Sequence, residues 1–449
     1  MKKRLVVASF IVSVVILFFA VGCKTSGPQN AQQIAATPGI LRAHFYDSGF
    51  SLADDNYNAC FQASDGKVYY VLASGSPETG AQMYALDPTT GKIQHVADLT
   101  EAAGEKGLHA IPQGKGHSIF VESQGKLYFA THVGYYNPSS AKGQELIGTP
   151  PPGYKPYPGG HFLSYDLQSG KFDNLAKAPA GEGILAFAMD TQRKRLYGLT
   201  WPSGLFLRYD MQTHQLRNFG PVSAGGEKGV PGSTFRVLCR SLVVDPQDGS
   251  VYFTTAGGRI LQYHYNTDSL ETVRGCNLRK DVFGCIEPSQ PGTMGYNWRQ
   301  AFWYSPQRVI YAQNGRSGYL LRFDPQEEKV EVLTRLVSDA TRASGMFDRF
   351  AYGYLGFALG PDGRSIYSLT GAPSKASVDP SDENIHLVTY DILSRKRVDW
   401  GVLQLQNGQR PFFAESIAIG RNGMIYTVSK VREKGHVRVD LLSFPNPVH

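Results

Sequence analysis

The chain has 449 residues, of which 42% are hydrophobic and 18% are charged. The apolar content is too high for a disordered protein, and the charged fraction is too low for a coiled coil. The formal net charge of +7 is mild for this length, and no basic block follows the pattern of a nucleic-acid-binding surface, so we exclude that class. The 49 Gly, 26 Pro, 24 Phe and 25 Tyr residues indicate many short strands joined by tight turns.

The N-terminal segment has the features of an export signal. Three basic residues precede an apolar run over residues 5–20, and Ala20-Val-Gly-Cys23 follows. This segment resembles the lipobox of bacterial lipoproteins, which implies cleavage after residue 22 and acylation of the Cys23 thiol and amino group. An uncleaved anchor helix is the alternative, although this run of 16 residues, which includes two Ser, falls short of the ~20 that a spanning helix needs.

Residues 23–39 are polar and lack apolar periodicity, so they are predicted to be a lipidated flexible tether. The predicted division is therefore a signal peptide over 1–22, the tether over 23–39 and a folded domain over 40–449. We expect a location in the cell envelope, held to the membrane through lipid alone. In a Gram-negative host, Lys24 after the cysteine implies the outer membrane, facing the periplasm or the surface.

The folded domain repeats one unit of four strands about seven times. One signature is a short strand centred on Tyr, at Tyr69, Tyr128, Tyr197, Tyr252, Tyr311, Tyr367 and Tyr426. The other is an aromatic residue with a following Asp or Asn that closes a turn, at Asp87, Asp166, Asp210, Asn266, Asp324 and Asp391. This pattern predicts an all-β fold, a seven-bladed β-propeller of four-stranded antiparallel blades. The seventh unit lacks a fourth strand, so residues 40–46 are predicted to supply an N-terminal strand that closes the last blade.

Polar side chains recur at one end of the predicted central channel. Counting outward from the hairpin turns places His117 opposite His132, Arg299 opposite Asn314 and Arg240 opposite Thr255. The same counting brings further residues to this end, namely Tyr354, Glu415, Glu182 and Trp201. Ionisable groups that converge on an apolar channel predict a ligand site, although a channel end that is simply hydrated gives the same pattern.

Two insertions are predicted to lie at the same end. Residues 134–160 are rich in Tyr and Pro, lead into His161, and suit stacking against a sugar face as well as an ordinary surface loop. Residues 274–297 contain Cys276 and Cys285, which an export compartment favours as a disulfide. A zinc site made by these two cysteines with His264 is the alternative. We predict no cofactor, and a structural zinc or calcium ion is the alternative. Cys60 and Cys239 are predicted to be buried thiols.

The region from His117 to Asp210 carries a family resemblance. Its motifs are His117-Ser-x5-Gln-Gly-Lys-Leu-Tyr-Phe-Ala-Thr-His132, Gly159-Gly-His161, Gly181-Glu-Gly-Ile-Leu185 and Arg195-Leu-Tyr-Gly-Leu-Thr-Trp-Pro202. These are similar to a group of bacterial seven-bladed propellers that includes the ulvan lyases. The resemblance implies β-elimination on acidic, uronate-containing polysaccharides by His, Tyr and Arg groups at the channel mouth.

The resemblance and the chemistry together predict two sets of residues. The catalytic set is His117, His132, Tyr197, Arg208 and Arg299. The substrate-binding set is Arg240, His161, Glu182, Trp201, Asn314, Tyr354 and Glu415. A non-catalytic envelope propeller that binds a glycan, a peptide or a partner protein remains open, and we expect a monomer. A third alternative is a lactonase-type hydrolase whose channel metal would need Glu182, Glu415, Asn58 and Asn314.

Overall fold

The computed structural model of the protein describes residues 39–138, 144–315, 317–344, 356–372 and 384–448. Regular structure in these ranges is almost entirely β. The helices there are α1 (Leu99–Ala102), α2 (Asp339–Ser344) and three single 3-10 turns, Gly226–Lys228, Asp281–Phe283 and Ser305–Gln307. The predicted all-β fold is confirmed. Within the same ranges, no helix has the length and apolar character needed to cross a membrane.

Strand β1 (Gly39–Phe45) comes first, and five four-stranded antiparallel sheets follow in chain order. Sheet one contains β2 (Cys60–Gln62), β3 (Val68–Leu72), β4 (Gln82–Leu86) and β5 (Ile93–Asp98). Sheet two contains β6 (Val121–Ser123), β7 (Lys126–Ala130), β8 (His161–Asp166) and β9 (Phe172–Lys177). Sheet three contains β10 (Gly183–Asp190), β11 (Arg195–Trp201), β12 (Leu205–Asp210) and β13 (Gln215–Pro221). Sheet four contains β14 (Val243–Val244), β15 (Val251–Thr254), β16 (Ile260–His264) and β17 (Ser269–Thr272). Sheet five contains β18 (Trp298–Tyr304), β19 (Val309–Asn314), β20 (Tyr319–Asp324) and β21 (Lys329–Arg335).

The remaining strands form one nine-stranded sheet that both chain ends share. Its strands are β22 (Gly356–Leu359), β23 (Ser365–Ala372), β24 (Asn384–Asp391), β25 (Arg397–Leu405), β26 (Phe413–Ala414), β27 (Ala418–Ile419), β28 (Met424–Glu433) and β29 (His436–Pro445), together with β1. Strand β1 joins two halves of this sheet. Its residues 39–43 pair in parallel with β25, and His44 and Phe45 then pair antiparallel with β29. The expected pairing with the C-terminal strand is therefore short, and most of β1 pairs with β25.

The sheets form a ring whose innermost strands contact one another. Strand β10 contacts β7 and β14, strand β18 contacts β14 and β22, and strand β27 contacts β2 of sheet one. The contact between β27 and β2 brings the last sheet against the first. A hydrogen bond from the Arg421 amide to Gln62 Oε1, 2.7 Å long, supports the same junction.

The repeated sequence signatures have direct structural roles. At the end of the third strand of sheets one, two, three and five, and at Asp391 at the end of β24, the Asp side chain accepts hydrogen bonds from backbone amides two or three residues later. Examples are Asp166, which accepts from Gln168 and Ser169, and Asp210, which accepts from Gln212 and Thr213. The repeated Tyr residues of the second strands are buried in the hydrophobic clusters. The predicted turn closure is confirmed at these positions.

The predicted Cys276–Cys285 disulfide is wrong, whereas Cys60 and Cys239 are buried thiols as predicted. The four cysteines in the described ranges are all free thiols, so Cys276 and Cys285 are not joined. Cys276 is half-buried against the core, where burial raises the pKa of its thiol to about 11, whereas Cys285 follows Gly284 and is exposed. The two thiols therefore lie in different surroundings.

The residues of the alternative zinc site do not converge either. His264 Nε2 lies 3.9 Å from Glu271 Oε2, not beside the two cysteines. Over the ranges that the structure covers, no three His, Cys, Asp or Glu side chains are grouped so that they could hold a metal ion.

Candidate functional site

A small cavity of about 50 Å³ collects side chains from sheets three and five and from the segments that connect the sheets. Its lining residues are Tyr57, Lys115, His117, His132, Tyr136, Glu145, Leu185, Trp201, Glu227, Arg240 and Arg299. Five of these residues were singled out by sequence: His117, His132, Trp201, Arg240 and Arg299. The structure thus brings the two predicted histidines and two of the predicted arginines into one site.

The two histidines that line the cavity share one tautomer, with the proton on Nδ1. The rings of His117 and His132 lie 5.2 Å apart between centroids. His117 Nδ1 is 2.9 Å from the carbonyl oxygen of Leu185, and His132 Nδ1 is 2.7 Å from that of Val133. Because a carbonyl can only accept, each Nδ1 carries a proton, and each Nε2 of a neutral ring is left as an acceptor. His132 Nε2 is buried and has no hydrogen-bond partner.

Burial keeps both imidazoles neutral. It lowers the pKa of His132 to about 3, and the nearby charges of Lys115 and Arg240 act in the same direction. The pKa of His117 also lies well below its ordinary value, first because of burial and then because of His132, Arg240 and Arg299. Both rings are therefore neutral at pH 7.

Two irregularities in strand pairing decide which side chains enter the cavity. His132 pairs with Lys115, two residues away from the predicted partner, because the chain turns at Gly116 and the Ser118 amide donates to the Gly116 carbonyl. Arg299 lies at a break in register, since Trp298 pairs with Asn314 and Gln300 with Gln313. Such a bulge redirects one side chain, and Arg299 lines the cavity although its predicted partner Asn314 does not.

Close backbone approach explains the glycines around Lys115. A Cβ on Gly114 would lie 2.5 Å from the Gly134 nitrogen, and a Cβ on Gly134 would lie 2.1 Å from the Ser74 carbonyl oxygen. The Gly-rich segment therefore lets two stretches of chain pass in contact, and it places the buried Lys115 between two aromatic rings. Its Nζ lies 4.5 Å from the Tyr57 ring centroid and 4.7 Å from that of Tyr136.

Tyr57 forms one wall of the cavity in a constrained conformation. Its ring stacks on His117 with a centroid separation of 4.7 Å and an interplanar angle of 16°. Tyr57 and Asn58 have φ values of 53° and 80°, in the left-handed region that side chains rarely adopt. Gln300 Nε2 donates to Asn58 Oδ1 over 2.6 Å and so ties this turn to sheet five. Burial raises the pKa of Tyr57 well above its ordinary value, so its hydroxyl keeps its proton.

Glu227 organises the opposite wall, and sequence reasoning missed it. Its carboxylate accepts from Trp201 Nε1 and the Leu238 amide, each at 2.9 Å, and it pairs with the Arg240 guanidinium. It lies in the 3-10 turn Gly226–Lys228, within the connection between sheets three and four. Two features of the sequence could have pointed to Glu227: the length of the connection over residues 222–242, and the Gly-Gly-Glu-Lys-Gly sequence within it.

Tyr197 and Arg208 do not reach the cavity, so their predicted position at the channel mouth is wrong. Tyr197 is fully buried among aromatic side chains, 5.3 Å from the Tyr263 ring centroid. Arg208 Nη1 lies 2.8 Å from Asp268 Oδ1. Strand alternation directs both side chains into the layer between sheets, and they have structural roles there.

Four predicted binding residues are also absent from the cavity lining and have other partners. His161 Nε2 lies 2.8 Å from Glu105 Oε1, and Glu182 accepts from the Thr200 hydroxyl over 2.7 Å. Asn314 accepts from the Ser317 hydroxyl over 2.8 Å. Glu415 Oε1 lies 3.1 Å from Lys430 Nζ. Tyr354, the remaining predicted binding residue, lies outside the described residues, as does Cys23.

The residues that a lactonase-type metal site would require also bond to other partners. Glu182 bonds to Thr200 and Ser203, Asn58 to Gln300, and Glu415 lies against Lys430. This arrangement gives no support to a shared metal at those positions.

Comparison with known proteins supports the fold. No family model and no curated protein matches the chain. Among solved structures, the extracellular domain of a candidate hybrid two-component system from B. thetaiotaomicron is 12% identical, with a TM-score of 0.51 over 90% of this chain and 39% of that one. The β-propeller domain of Cps50 (Swd1) from Myceliophteria thermophila is 9% identical, with a TM-score of 0.49 over 86% of this chain and 97% of that one. A candidate 6-phosphogluconolactonase from Bacteroides fragilis is 12% identical, with a TM-score of 0.47 over 84% of this chain and 94% of that one.

Proposed function

The chain folds as a β-propeller, and we propose that its cavity is the centre of a polysaccharide lyase acting on an acidic, uronate-containing polymer. One observation carries this proposal: two neutral histidines present proton-free Nε2 atoms beside Arg240 and Arg299. A β-elimination needs both a proton acceptor and cations that stabilise the carboxylate while negative charge develops next to it. The resemblance of the His117 to His132 segment to the ulvan lyases supports the same reaction.

The roles of the groups follow from their protonation states. Arg299 and Arg240 pair with the uronate carboxylate, and His132 Nε2 accepts the proton from the carbon next to that carboxyl. The electrons of the broken C–H bond form a C=C bond as the C–O bond to the neighbouring sugar breaks. Tyr57, whose hydroxyl remains protonated, donates the proton that the leaving oxygen requires. His117 lies between Tyr57 and His132 and keeps both rings in place.

The test of this proposal is formation of the new double bond. Purified protein is mixed with a panel of uronate polymers, and absorbance of the unsaturated product is followed. We expect turnover on at least one polymer, and a loss of about 100-fold or more in His132→Ala, the size of a general-base contribution. His436→Ala, an exposed histidine of β29, is the matched control and should keep full activity. The absence of product on every polymer would refute the lyase.

A non-catalytic ligand-binding propeller is the second candidate, and the cavity size favours it. Its volume of about 50 Å³ is far below the ~300–1,000 Å³ of pockets that enclose a drug-sized ligand. A cavity of this size suits one small anionic group of a larger glycan, peptide or protein ligand. The two candidates differ in the His132→Ala variant, which should abolish turnover by a lyase but leave ligand affinity within about threefold in a binding protein.

We propose seven blades, with the nine-stranded sheet counted as two. Strands β22 to β25 would form the sixth blade, and β26 to β29 with β1 the seventh. The contact of β27 with β2 supports this count because it lets the seventh unit close the ring.

We further propose that Cys23 is lipidated and that the protein is an envelope-anchored monomer. Labelling with a palmitate analogue tests the anchor, since Cys23→Ala should remove the label and release the protein from the membrane fraction. Light scattering of the protein lacking residues 1–38 tests the monomer.

A further inference from the structure

A second pocket, formed mainly by arginine, lies beside the connection that supplies Glu227 and Arg240. It measures about 480 Å³, and its polar lining is Arg236, Arg259, Arg279, Ser223, Thr255 and Asn277. We call it the arginine pocket. Arg259 belongs to the loop between β15 and β16, and Arg279 follows β17. The pocket therefore combines two loops of sheet four with the segment that enters from sheet three.

The arginines are oriented by backbone carbonyls. Arg279 Nε donates to the Gly257 carbonyl over 2.7 Å, and Arg236 Nη1 donates to the carbonyl of Ser233 over 2.8 Å. These bonds occupy one nitrogen of the Arg279 guanidinium and one of the Arg236 guanidinium. A guanidinium held in this way presents its other N–H groups in a fork that fits two oxygens of a planar or tetrahedral oxyanion.

No salt bridge joins the arginines of this pocket to a carboxylate of the described residues, where no Asp or Glu oxygen lies within 4.0 Å of the guanidinium groups of Arg236, Arg259 or Arg279. Glu287 lies farther away, and its carboxylate accepts from the Ser289 hydroxyl and amide. These hydrogen bonds, and then the charges of Arg236 and Arg279, lower the pKa of Glu287. Three like charges around one opening repel one another, so an anion placed among them lowers the free energy of the folded state.

From this geometry we infer that the arginine pocket is a binding site for an oxyanion, a sulfate, phosphate or carboxylate group. The inference does not depend on the proposed reaction. The pocket and the cavity share the connection over residues 222–242, where the Arg236 amide donates to the Gly226 carbonyl over 2.7 Å. A charged group bound at Arg236 would therefore lie next to the turn that carries Glu227.

Calorimetric titration with inorganic sulfate, inorganic phosphate and acetate, at constant ionic strength, tests the site. We expect saturable binding of at least one anion, weakened about tenfold or more in Arg259→Ala and in Arg279→Ala, because each removes a charge-assisted contact. Arg274→Ala is the matched control, an exposed arginine of the same segment outside the pocket lining, and it should bind as the unaltered chain does. Two results would overturn the inference. One is equal anion binding by the unaltered chain and all variants. The other is that the unaltered chain binds no anion, either in this titration or in the one described next.

A second titration distinguishes a free ion from a charged group on a larger ligand. It compares a sulfated oligosaccharide with its desulfated form. Preference for the sulfated form that disappears in Arg259→Ala supports the site as part of a larger binding surface, even where free sulfate binds too weakly to detect. His132→Ala should leave anion binding unchanged, so a failed lyase and a failed anion site give different results.

Discussion

His117 and His132 acquire their state from the backbone around them. Each Nδ1 donates to a carbonyl, of Leu185 and Val133, and each ring is enclosed, so the neutral form with a free Nε2 is favoured. A surface histidine has neither constraint. The pair could be found from sequence because both residues lie close to a recognisable hairpin. The tautomer of His117, however, depends on the Leu185 carbonyl of sheet three, a contact that no local pattern reveals.

The first prediction concerns the titration of His132. With its pKa lowered to about 3, the ring stays neutral as pH falls through the range where histidine normally gains a proton. In ¹⁵N-edited NMR spectra, the His132 ring should remain in the Nδ1–H form from about pH 8 to about pH 5. His132→Asn identifies the signal by removing it. Protonation of this ring near pH 6.5 would contradict the burial that lowers its pKa.

A second set of titrating groups lies behind Lys115. Asp55 Oδ2 is 3.4 Å from Lys115 Nζ, and Asp55 also pairs with Lys430, which contacts Glu415. Burial opposes ionisation of Asp55, but Lys115 and Lys430 hold its pKa at about 2. Burial and then the charge of Asp55 raise the pKa of Glu415 well above its ordinary value. The pKa values of the two carboxyls are therefore shifted in opposite directions.

The second prediction follows from the Glu415 proton. The pKa of Glu415 in the folded protein is raised above its ordinary value of 4.5. The stabilising contribution of this group is therefore complete below pH 4.5, and it is lost as the pH rises through the pKa of the folded state. Glu415→Gln keeps the shape and cannot ionise, so its stability relative to the unaltered chain should increase from about pH 5 to about pH 8. Urea unfolding at both pH values measures this difference. The exposed Glu78→Gln should show no such trend, and a pH-independent effect at Glu415 would mean that the carboxyl does not hold a proton.

At the scale of the element, counting along the sequence predicted the order of the strands but not the register of the strands near the cavity. The Asp turns and the second-strand Tyr residues repeat regularly, so the strand order of each sheet could be predicted. The register near the cavity could not, because the turn at Gly116 shifts His132 onto Lys115 and the bulge at Arg299 interrupts a regular ladder. Hairpin counting assumes an unbroken period of two, and each irregularity changes which side chain faces inward.

The third prediction concerns the seam between β1 and β25. Gly401 has a φ of 109°, and a Cβ there would lie 1.8 Å from the Gly39 carbonyl oxygen. Gly401→Ala should therefore destabilise the fold by about 2–4 kcal/mol, since the clash adds to the conformational cost. Gly408→Ala is the control: its φ is 86° but its Cβ would meet nothing within 4 Å, so only about 1 kcal/mol is expected. Denaturant unfolding of both variants checks the difference, and equal losses would mean that the close contact between the strands can relax.

At the scale of the whole molecule, the ring could be predicted because each unit repeats the same local signals. The site could be predicted only in part, because it is assembled from irregular connections. Lys115 comes from a Gly-rich stretch, Glu227 from a 3-10 turn and Tyr57 from a left-handed turn, and none of these belongs to the repeat. Tyr197, which the family resemblance suggested, occupies a repeat position and lies in the core, since a position that recurs in every unit serves the packing common to all units.

The last prediction concerns closure of the ring by β1. This strand pairs with β25 on one side and β29 on the other, and its Ala43 is buried in the cluster that contains Leu403 and Leu442. Removing residues 1–46 should therefore expose two strand edges and cost about 3 kcal/mol or more, from several backbone hydrogen bonds at about 0.5–1.5 kcal/mol each. Removing residues 1–38 leaves β1 intact and is the matched control. Urea unfolding measures the loss and light scattering the self-association that open edges promote. If the two truncated proteins unfold at the same urea concentration and remain equally monodisperse, β1 is not what joins the two halves of the nine-stranded sheet.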